Sequence, residues 1–355
     1  MNEYQKQLSQ KTEKLNRLFA GFNPPDLKVF PSPERHYRMR AEFRIWHTGD
    51  EINYVMFKKG EKNAPIIIDE FPAASKLINE SMGPLLKAIQ SSPALSKKLF
   101  QIDFLSTSTN EQLITLLYHK PLDNDWENAL RQLAKTMKHQ FIGRARKQKI
   151  VLENDFVYEE MQINDCKYRY QQVENSFTQP NAHICQNMLQ WATNETRNAQ
   201  GDLLELYCGN GNFTIPLSKN YDKVLATEIA KTSVKSALHN IEINGVNNIT
   251  IVRLSSEELT QALNKERAFR RLKNVNLDDY HFNTVFVDPP RSGIDSETLK
   301  LISQFDNIIY ISCNPDTLHK NLNALKEHKI MKFALFDQFP FTDHIEAGVI
   351  LKKEH

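Results

Sequence analysis

The sequence predicts an α/β protein of two units, an α+β unit followed by a doubly wound parallel sheet. Three observations predict it. From about residue 29 to 150, short alternating runs such as 37–46 and 113–118 read as strands, with helical stretches near 73–91 and 124–138 between them. From about residue 181, apolar strand runs at 203–207, 224–227, 249–253, 284–287, 307–312 and 349–351 alternate with helical stretches. The length, 355 residues, exceeds what one hydrophobic core usually serves. The units are expected at 1–170 and 171–355, with the change in the polar stretch that holds Gln171, Gln172, Glu174 and Asn175.

Residues 3–20 place Leu8, Leu15, Leu18 and Phe19 between charges and glutamines, an amphipathic helix that leads the first unit. Composition is that of an ordinary globular chain, 40% hydrophobic and 25% charged, with a net charge of +2. No run of about 18 apolar residues appears, so no membrane-spanning helix is expected. Cys166, Cys185, Cys208 and Cys313 are too far apart for a CxxC metal site, which points to reduced thiols in a cytoplasm and to no metal or iron–sulfur cluster. Residues 1–180 hold 26 basic and 22 acidic side chains, against 19 and 21 in 181–355. The first unit is therefore the one suited to a polyanion. Its Arg35, Arg38, Arg40 and Arg44 are interleaved with Tyr37, Phe43 and Trp46, a mixture that serves phosphate contact and base stacking.

The second unit carries its chemistry at the ends of its strands. The run LLELYCGNGNF at 203–213 leads from an apolar strand through Gly209 and Gly211 toward a helix, where glycines let the backbone approach a ligand. Thr214 stands where a dinucleotide motif needs a third small residue, which disfavours a nicotinamide. Glu228 ends the next strand, placed to accept hydrogen bonds from two ribose hydroxyls. Strand, glycine turn, helix, strand and acid together suit S-adenosyl-L-methionine. Asp288-Pro289-Pro290-Arg291 then makes a rigid loop straight off a buried strand, able to hold a flat base by its edges, with Arg291 as a fixed cation. Cys313 ends the following strand and is the strongest soft nucleophile available at that edge. Before the last strand, Glu346 sits among prolines and aromatics as a partly desolvated base, with His344 as its rival.

With these residues in place, the chain resembles the RNA uracil-5-methyltransferases, specifically the branch acting on tRNA. The resemblance spans nearly the whole chain and rests on NSFTQPN at 175–181, LYCGNGNF at 206–213, VDPPRSG at 287–293, SCNP at 312–315 and the FPFTDHIE loop that ends at Glu346. It implies a Rossmann-like class I methyltransferase domain preceded by an RNA-binding α+β domain. It implies a cofactor site formed by Gln179, Tyr207, Gly209, Asn212, Glu228 and Asp288, with Cys313 as nucleophile and Glu346 as proton acceptor. Arg291, Arg35, Arg38, Arg40, Arg44, Phe100 and His119 are the expected RNA contacts. The branch acting on ribosomal RNA carries an OB-like module and a four-cysteine iron–sulfur cluster, for which these cysteines are too sparse.

The activity so implied is formation of 5-methyluridine in the tRNA T-loop (position 54), with the equivalent uridine of tmRNA as a further candidate substrate and no obligate protein partner. Cys313 would add to uracil C6, C5 would take the methyl group, and Glu346 would remove the C5 proton. Two other readings stay open at this level. One is an N-methyltransferase whose DPPR loop presents an exocyclic amine and needs no thiol. The other is a nonenzymatic RNA-binding or RNA-folding protein on a methyltransferase scaffold.

Overall fold

The computed structural model describes residues 2–58, 60 and 64–354. Helix α1 (Glu3–Phe19) opens with a capping box, in which Asn2 accepts from the Gln5 N–H and Gln5 accepts from the Asn2 N–H. The short strand β1 (Lys28–Phe30) follows.

Next comes a seven-stranded sheet with its helices: β2 (Arg40–Thr48), β3 (Glu51–Phe57), β4 (Pro65–Ile67), α2 (Lys76–Gln90), α3 (Pro93–Ser96), β5 (Leu99–Ser106), β6 (Gln112–Tyr118), α4 (Asn124–Met137), β7 (Gln140–Ala145) and β8 (Gln148–Val151). The spatial order is β4-β3-β2-β5-β6-β7-β8. Ala41, Phe43 and Ile45 on β2 face a core built with Ile78, Met82, Trp126 and Phe141, while Arg40, Glu42, Arg44 and Trp46 take the opposite face by alternation. Gly143 admits no side chain, since an added Cβ would lie 1.9 Å from the Trp126 ring. An antiparallel sheet is expected here. One pair, β6 with β7, is instead parallel, because the connection between them carries α4 and is long enough for a crossover.

The hairpin β9 (Phe156–Ile163) and β10 (Cys166–Val173) stands apart as a two-stranded sheet. The large sheet is built from α5 (Ala182–Glu195), β11 (Asp202–Leu206), α6 (Thr214–Leu217), β12 (Val224–Thr227), α7 (Lys231–Ile243), β13 (Ile249–Val252), α8 (Ser256–Leu263), β14 (Phe282–Val287), α9 (Ser296–Ile302), β15 (Asn307–Ser312), α10 (Pro315–Leu322), β16 (His328–Phe336) and β17 (Glu346–Lys353). Its order is β1-β16-β17-β15-β14-β11-β12-β13, parallel throughout except that β17 runs against both neighbours. The connection 337–345 is too short for a parallel crossover, so the chain turns back as a hairpin.

Packing divides the chain differently from the expected cut at 170. Leu15 and Phe19 of α1 lie in the core of the large sheet, with the Phe19 ring 5.2 Å from Phe333, and β1 is that sheet's outermost strand. Met161, Ile163, Tyr168 and Tyr170 of the hairpin pack into the core on its other face, with Cys185, Met188 and Trp191 of α5. The seven-stranded unit, residues 40–151, is thus an insertion between two segments that both belong to the second unit. Among the described residues, no helix is long and apolar enough to cross a membrane, and no cluster of His, Cys, Asp or Glu could hold a metal ion.

One buried ion pair fastens α1 to the large sheet. The Lys11 Nζ lies 2.7 Å from Asp337 Oδ1 and also donates to the Phe339 carbonyl at 3.0 Å, and both side chains are almost fully enclosed. The Asp337 N–H donates to the Phe30 carbonyl of β1. Removing the cation alone would leave an unpaired carboxylate in the interior, which typically costs about 3–5 kcal/mol. Lys11→Met is accordingly expected to lower the urea-unfolding free energy by about that amount; a loss below about 1 kcal/mol would show the carboxylate to be satisfied by other groups.

A candidate active site at the carboxyl edge of the large sheet

Because β11, β12, β14 and β15 run parallel, their carboxyl ends share one edge, and β17, running the other way, starts there. Every strand-end residue singled out in the sequence is brought to this edge. After β11 the backbone enters the left-handed region at Tyr207, Gly209 and Gly211, with φ of 62°, 57° and 82°. An added Cβ at Gly209 would meet nothing, so what that position requires is the positive φ itself. Tyr207 adopts the same conformation despite its side chain, whose hydroxyl is held 2.9 Å from Ser256 Oγ.

Glu228, just past β12, is locked by two backbone donors: the Gly209 N–H at 3.0 Å to one carboxylate oxygen and the Ala230 N–H at 2.7 Å to the other. Its remaining lone pairs line a cleft of about 310 Å³, together with Gln179, Tyr207, Asn212 and Asp288. Asn212 is fixed in turn, its side-chain NH₂ donating to Cys185 Sγ at 3.3 Å while its main-chain carbonyl accepts from the Tyr170 hydroxyl at 3.1 Å. A rigid diol acceptor at the end of the second strand and a pocket at the lower end of the usual ligand-site size range fit a nucleoside with a free ribose.

Cys313 and Glu346 stand beside this cleft rather than in its lining. Ser312 lies opposite Ala347 across the antiparallel pair, so extending the register by one residue sets Cys313 opposite Glu346. Of the two acid–base rivals, Glu346 is buried and His344 is exposed with its ring against Phe339. Burial, reinforced by the Asp288 charge, holds the Glu346 carboxyl well above the usual range, and burial likewise pushes Asp288 up to about 7 despite the Gln179 N–H donated to it. Burial is also the main reason that the Cys313 thiol is pushed up to about 11, with the Glu346 and Asp288 charges adding to it and Arg291 opposing them. In this state the thiol is neutral. Arg291 and the amino end of α10, which begins at Pro315, are the groups placed to favour its thiolate.

The expected RNA contacts are placed unequally. The Arg44 guanidinium, from the middle of β2, lies 3.9 Å over the Phe100 ring near the start of β5, which stacks on His119, just past β6, at 4.0 Å, so the three residues form one column. Arg38 lies over the Phe339 ring at 5.4 Å and so reaches the loop that leads into Glu346, while Arg35 is exposed and 3.7 Å from Glu70. Arg291 is exposed. Arg40 differs from the other cations: it is partly buried among the Glu42, Asp103 and Glu174 charges. Sequence reasoning passed over two buried polar residues. Gln338 donates to Gln179 Oε1 at 2.8 Å, and its signal was an Asp-Gln pair lying straight after an apolar run. Glu205 lines the cleft, is 1% exposed, and has one carboxyl oxygen without a partner among the described residues.

Residues 3–354 match the family described as tRNA (Uracil-5-)-methyltransferase. A protein of Psychromonas ingrahamii named tRNA/tmRNA (uracil-C(5))-methyltransferase is 57% identical over 355 residues, covering 99% of this chain and 97% of that protein. One of the same name from Saccharophagus degradans is 56% identical, with the same coverage. Among solved structures, the Pyrococcus abyssi tRNA (uracil-54, C5)-methyltransferase in complex with S-adenosyl-L-homocysteine superposes with a TM-score of 0.74 at 23% identity, covering 98% of this chain and 83% of that one.

The buried carboxyl of Glu205 gives a test of the cleft's electrostatics. Burial raises it to about 8 in the folded chain, so the stability that it contributes is complete at low pH and is lost as pH rises through about 8. Glu205→Gln has no such loss. The stability of the variant relative to the parent, followed by urea unfolding, is expected to climb from pH 5 to about pH 8 and then level off. A difference that stays constant with pH would mean that the carboxyl is ionised and paired.

Proposed function

The chain belongs to the tRNA (uracil-5-)-methyltransferase family, and from that premise we infer that it transfers a methyl group from S-adenosyl-L-methionine to C5 of a uridine in tRNA. The observation that carries this reading is the register that faces a cysteine with a buried glutamate beside the nucleoside cleft. We place the target at the T-loop uridine, position 54, and include the equivalent uridine of tmRNA because the relatives are named for both substrates. The cytoplasm, where tRNA is the substrate at hand, is the setting that suits four free cysteines.

C5 of uracil is too poor a nucleophile to take a methyl group unaided. Cys313, as thiolate, forms a bond to C6, and the electrons of the C5–C6 double bond move to C5 and O4 as an enolate. When bound, S-adenosyl-L-methionine supplies an electrophilic methyl group on a sulfonium whose positive charge favours the ionised forms of nearby acids. Glu228, clamped by two backbone N–H groups, would hold the ribose hydroxyls, with Tyr207 and Asn212 walling the pocket. Once C5 is methylated, Glu346 takes the C5 proton. The C–H electrons re-form the double bond and expel the Cys313 thiolate. Burial suits Glu346 to this step, because a carboxylate with raised basicity holds a proton taken from carbon more firmly.

A uridine inside a folded T-loop must be turned out to reach Cys313, at a cost of a few kcal/mol. The Arg44–Phe100–His119 column offers a stacking platform with a cation on top, Arg35 and Arg38 offer phosphate contacts, and Arg291 is an exposed cation whose charge reaches Cys313. The charge of Arg40 is already met by Glu42, Asp103 and Glu174, which leaves less of it for RNA.

Two variants test the assignment. With labelled S-adenosyl-L-methionine and an unmodified tRNA transcript, the parent protein is expected to yield labelled 5-methyluridine and Cys313→Ala none. Label in another nucleoside, or product from the cysteine variant, would sink the covalent mechanism. Glu346→Gln is expected to stall after methylation and build up a protein–RNA adduct that survives denaturing electrophoresis; normal turnover by that variant would move the base elsewhere.

A further inference from the structure

We propose that Gln338 is a positioning residue for this site: by donating to Gln179 it fixes the Gln179 amide so that its NH₂ group, rather than its carbonyl, faces Asp288. The proposal rests on the reading of Asp288 and Gln179 as parts of the methyl-transfer site.

The two ends of a glutamine amide have nearly the same shape and opposite hydrogen-bonding character, whereas an ionised aspartate only accepts. Gln179 lies between the two neighbours. Its Oε1 accepts from Gln338 Nε2 at 2.8 Å, and its Nε2 donates to Asp288 Oδ2 at 3.3 Å. If Gln338 turned its carbonyl toward Gln179, Gln179 would have to turn its own carbonyl toward the Asp288 carboxylate, and two acceptors would meet in a buried cleft. The three residues therefore share one orientation as long as Asp288 is ionised.

Gln338 is built to hold that orientation. It is 2% exposed, its main-chain N–H donates to the Phe336 carbonyl, and its main-chain carbonyl accepts from Asn181 Nδ2 at 3.2 Å, which holds the backbone from which the side chain reaches Gln179. Asp337 before it is clamped by Lys11 and by the Phe30 carbonyl. Beyond Gln179, the Gln338 NH₂ group meets the Met188 sulfur at 3.6 Å, a weak acceptor that competes poorly for it. Its Oε1 has no partner among the described residues, so no other contact fixes the amide the opposite way.

The test compares the pH dependence of kcat/KM for tRNA methylation in the parent, Gln338→Glu and Gln338→Met. Glutamate at 338 can only accept when ionised, so it draws the Gln179 NH₂ toward itself and turns the Gln179 carbonyl onto Asp288. The acid limb of the profile is then expected to move up by about one unit, with activity reduced about tenfold on the acid side of the limb and by less as pH rises through it. Methionine keeps the volume but frees the Gln179 amide, and its limb is expected to move up by less. Urea midpoints measured alongside separate this from loss of fold, since a purely structural role lowers stability and leaves the limb in place. An unmoved limb in a folded variant, by either substitution, overturns the proposal. Formation of 5-methyluridine by the parent in the same assay judges the underlying reading independently: absence of that product would sink the reading, whereas product with unmoved limbs would sink only the role of Gln338.

Discussion

The cysteine–glutamate edge of the large sheet depends on the backbone hydrogen bonding of one antiparallel strand. β17 slots between β15 and β16 and runs against both, so it begins where they end. Were it parallel, Glu346 would lie at the opposite edge of the sheet, about 25 Å from Cys313 at the rise of an eight-residue strand. The length of the 337–345 connection is therefore a chemical parameter as well as a topological one. The slot is also tight. A Cβ at Gly348 would stand 2.9 Å from the Phe336 ring and 3.0 Å from Trp191, so the strand fits only with a bare backbone at that point.

That geometry gathers three acids where water is scarce, and the electrostatics follow. Burial raises the proton affinity of all three groups, the Asp288 charge adds to that of Glu346, and both charges add to that of Cys313, so in the free protein none is driven to ionise fully at neutral pH. A site of this kind is indifferent until a positive charge arrives. On the proposed assignment, the burial that restrains the Cys313 nucleophile also strengthens the Glu346 base, so reactivity would be tied to a filled cleft. The cost is carried by the fold, since buried carboxyls with unmatched oxygens, Glu205 among them, weaken the folded state as they ionise.

Much of this was legible in the sequence because it is local. The runs 224–227 and 307–312 coincide with β12 and β15, and the glycine turn, Glu228, Asp288 and Cys313 all announce themselves at the ends of apolar runs. What escaped is what depends on distant partners. β1 is three residues long and pairs with β16, a strand interrupted in pattern by Lys329 and Lys332. No periodicity reports such a pairing. Nor does composition reveal that Arg40 faces acids while Arg44 caps an aromatic column, since both look alike in a basic stretch. The parallel β6–β7 pair hides in the same way, behind a helix of ordinary length. Amide orientations such as that of Gln179 are set wholly by neighbours from other parts of the chain.

The pairing of β1 with β16 also orders events during synthesis. Residues 40–151 form a contiguous sheet with its own core and can close as they leave the ribosome, since domains generally fold as units. Leu15, Phe19 and Val29 have no such option, for their partners are Phe333 and Leu335, some three hundred positions downstream. They must wait exposed until β16 emerges, a long-range closure of the kind that folds slowly. The nascent chain therefore holds a finished insertion and two open flanks, and the cysteine and glutamate meet only once β17, the last strand made, has paired with β15.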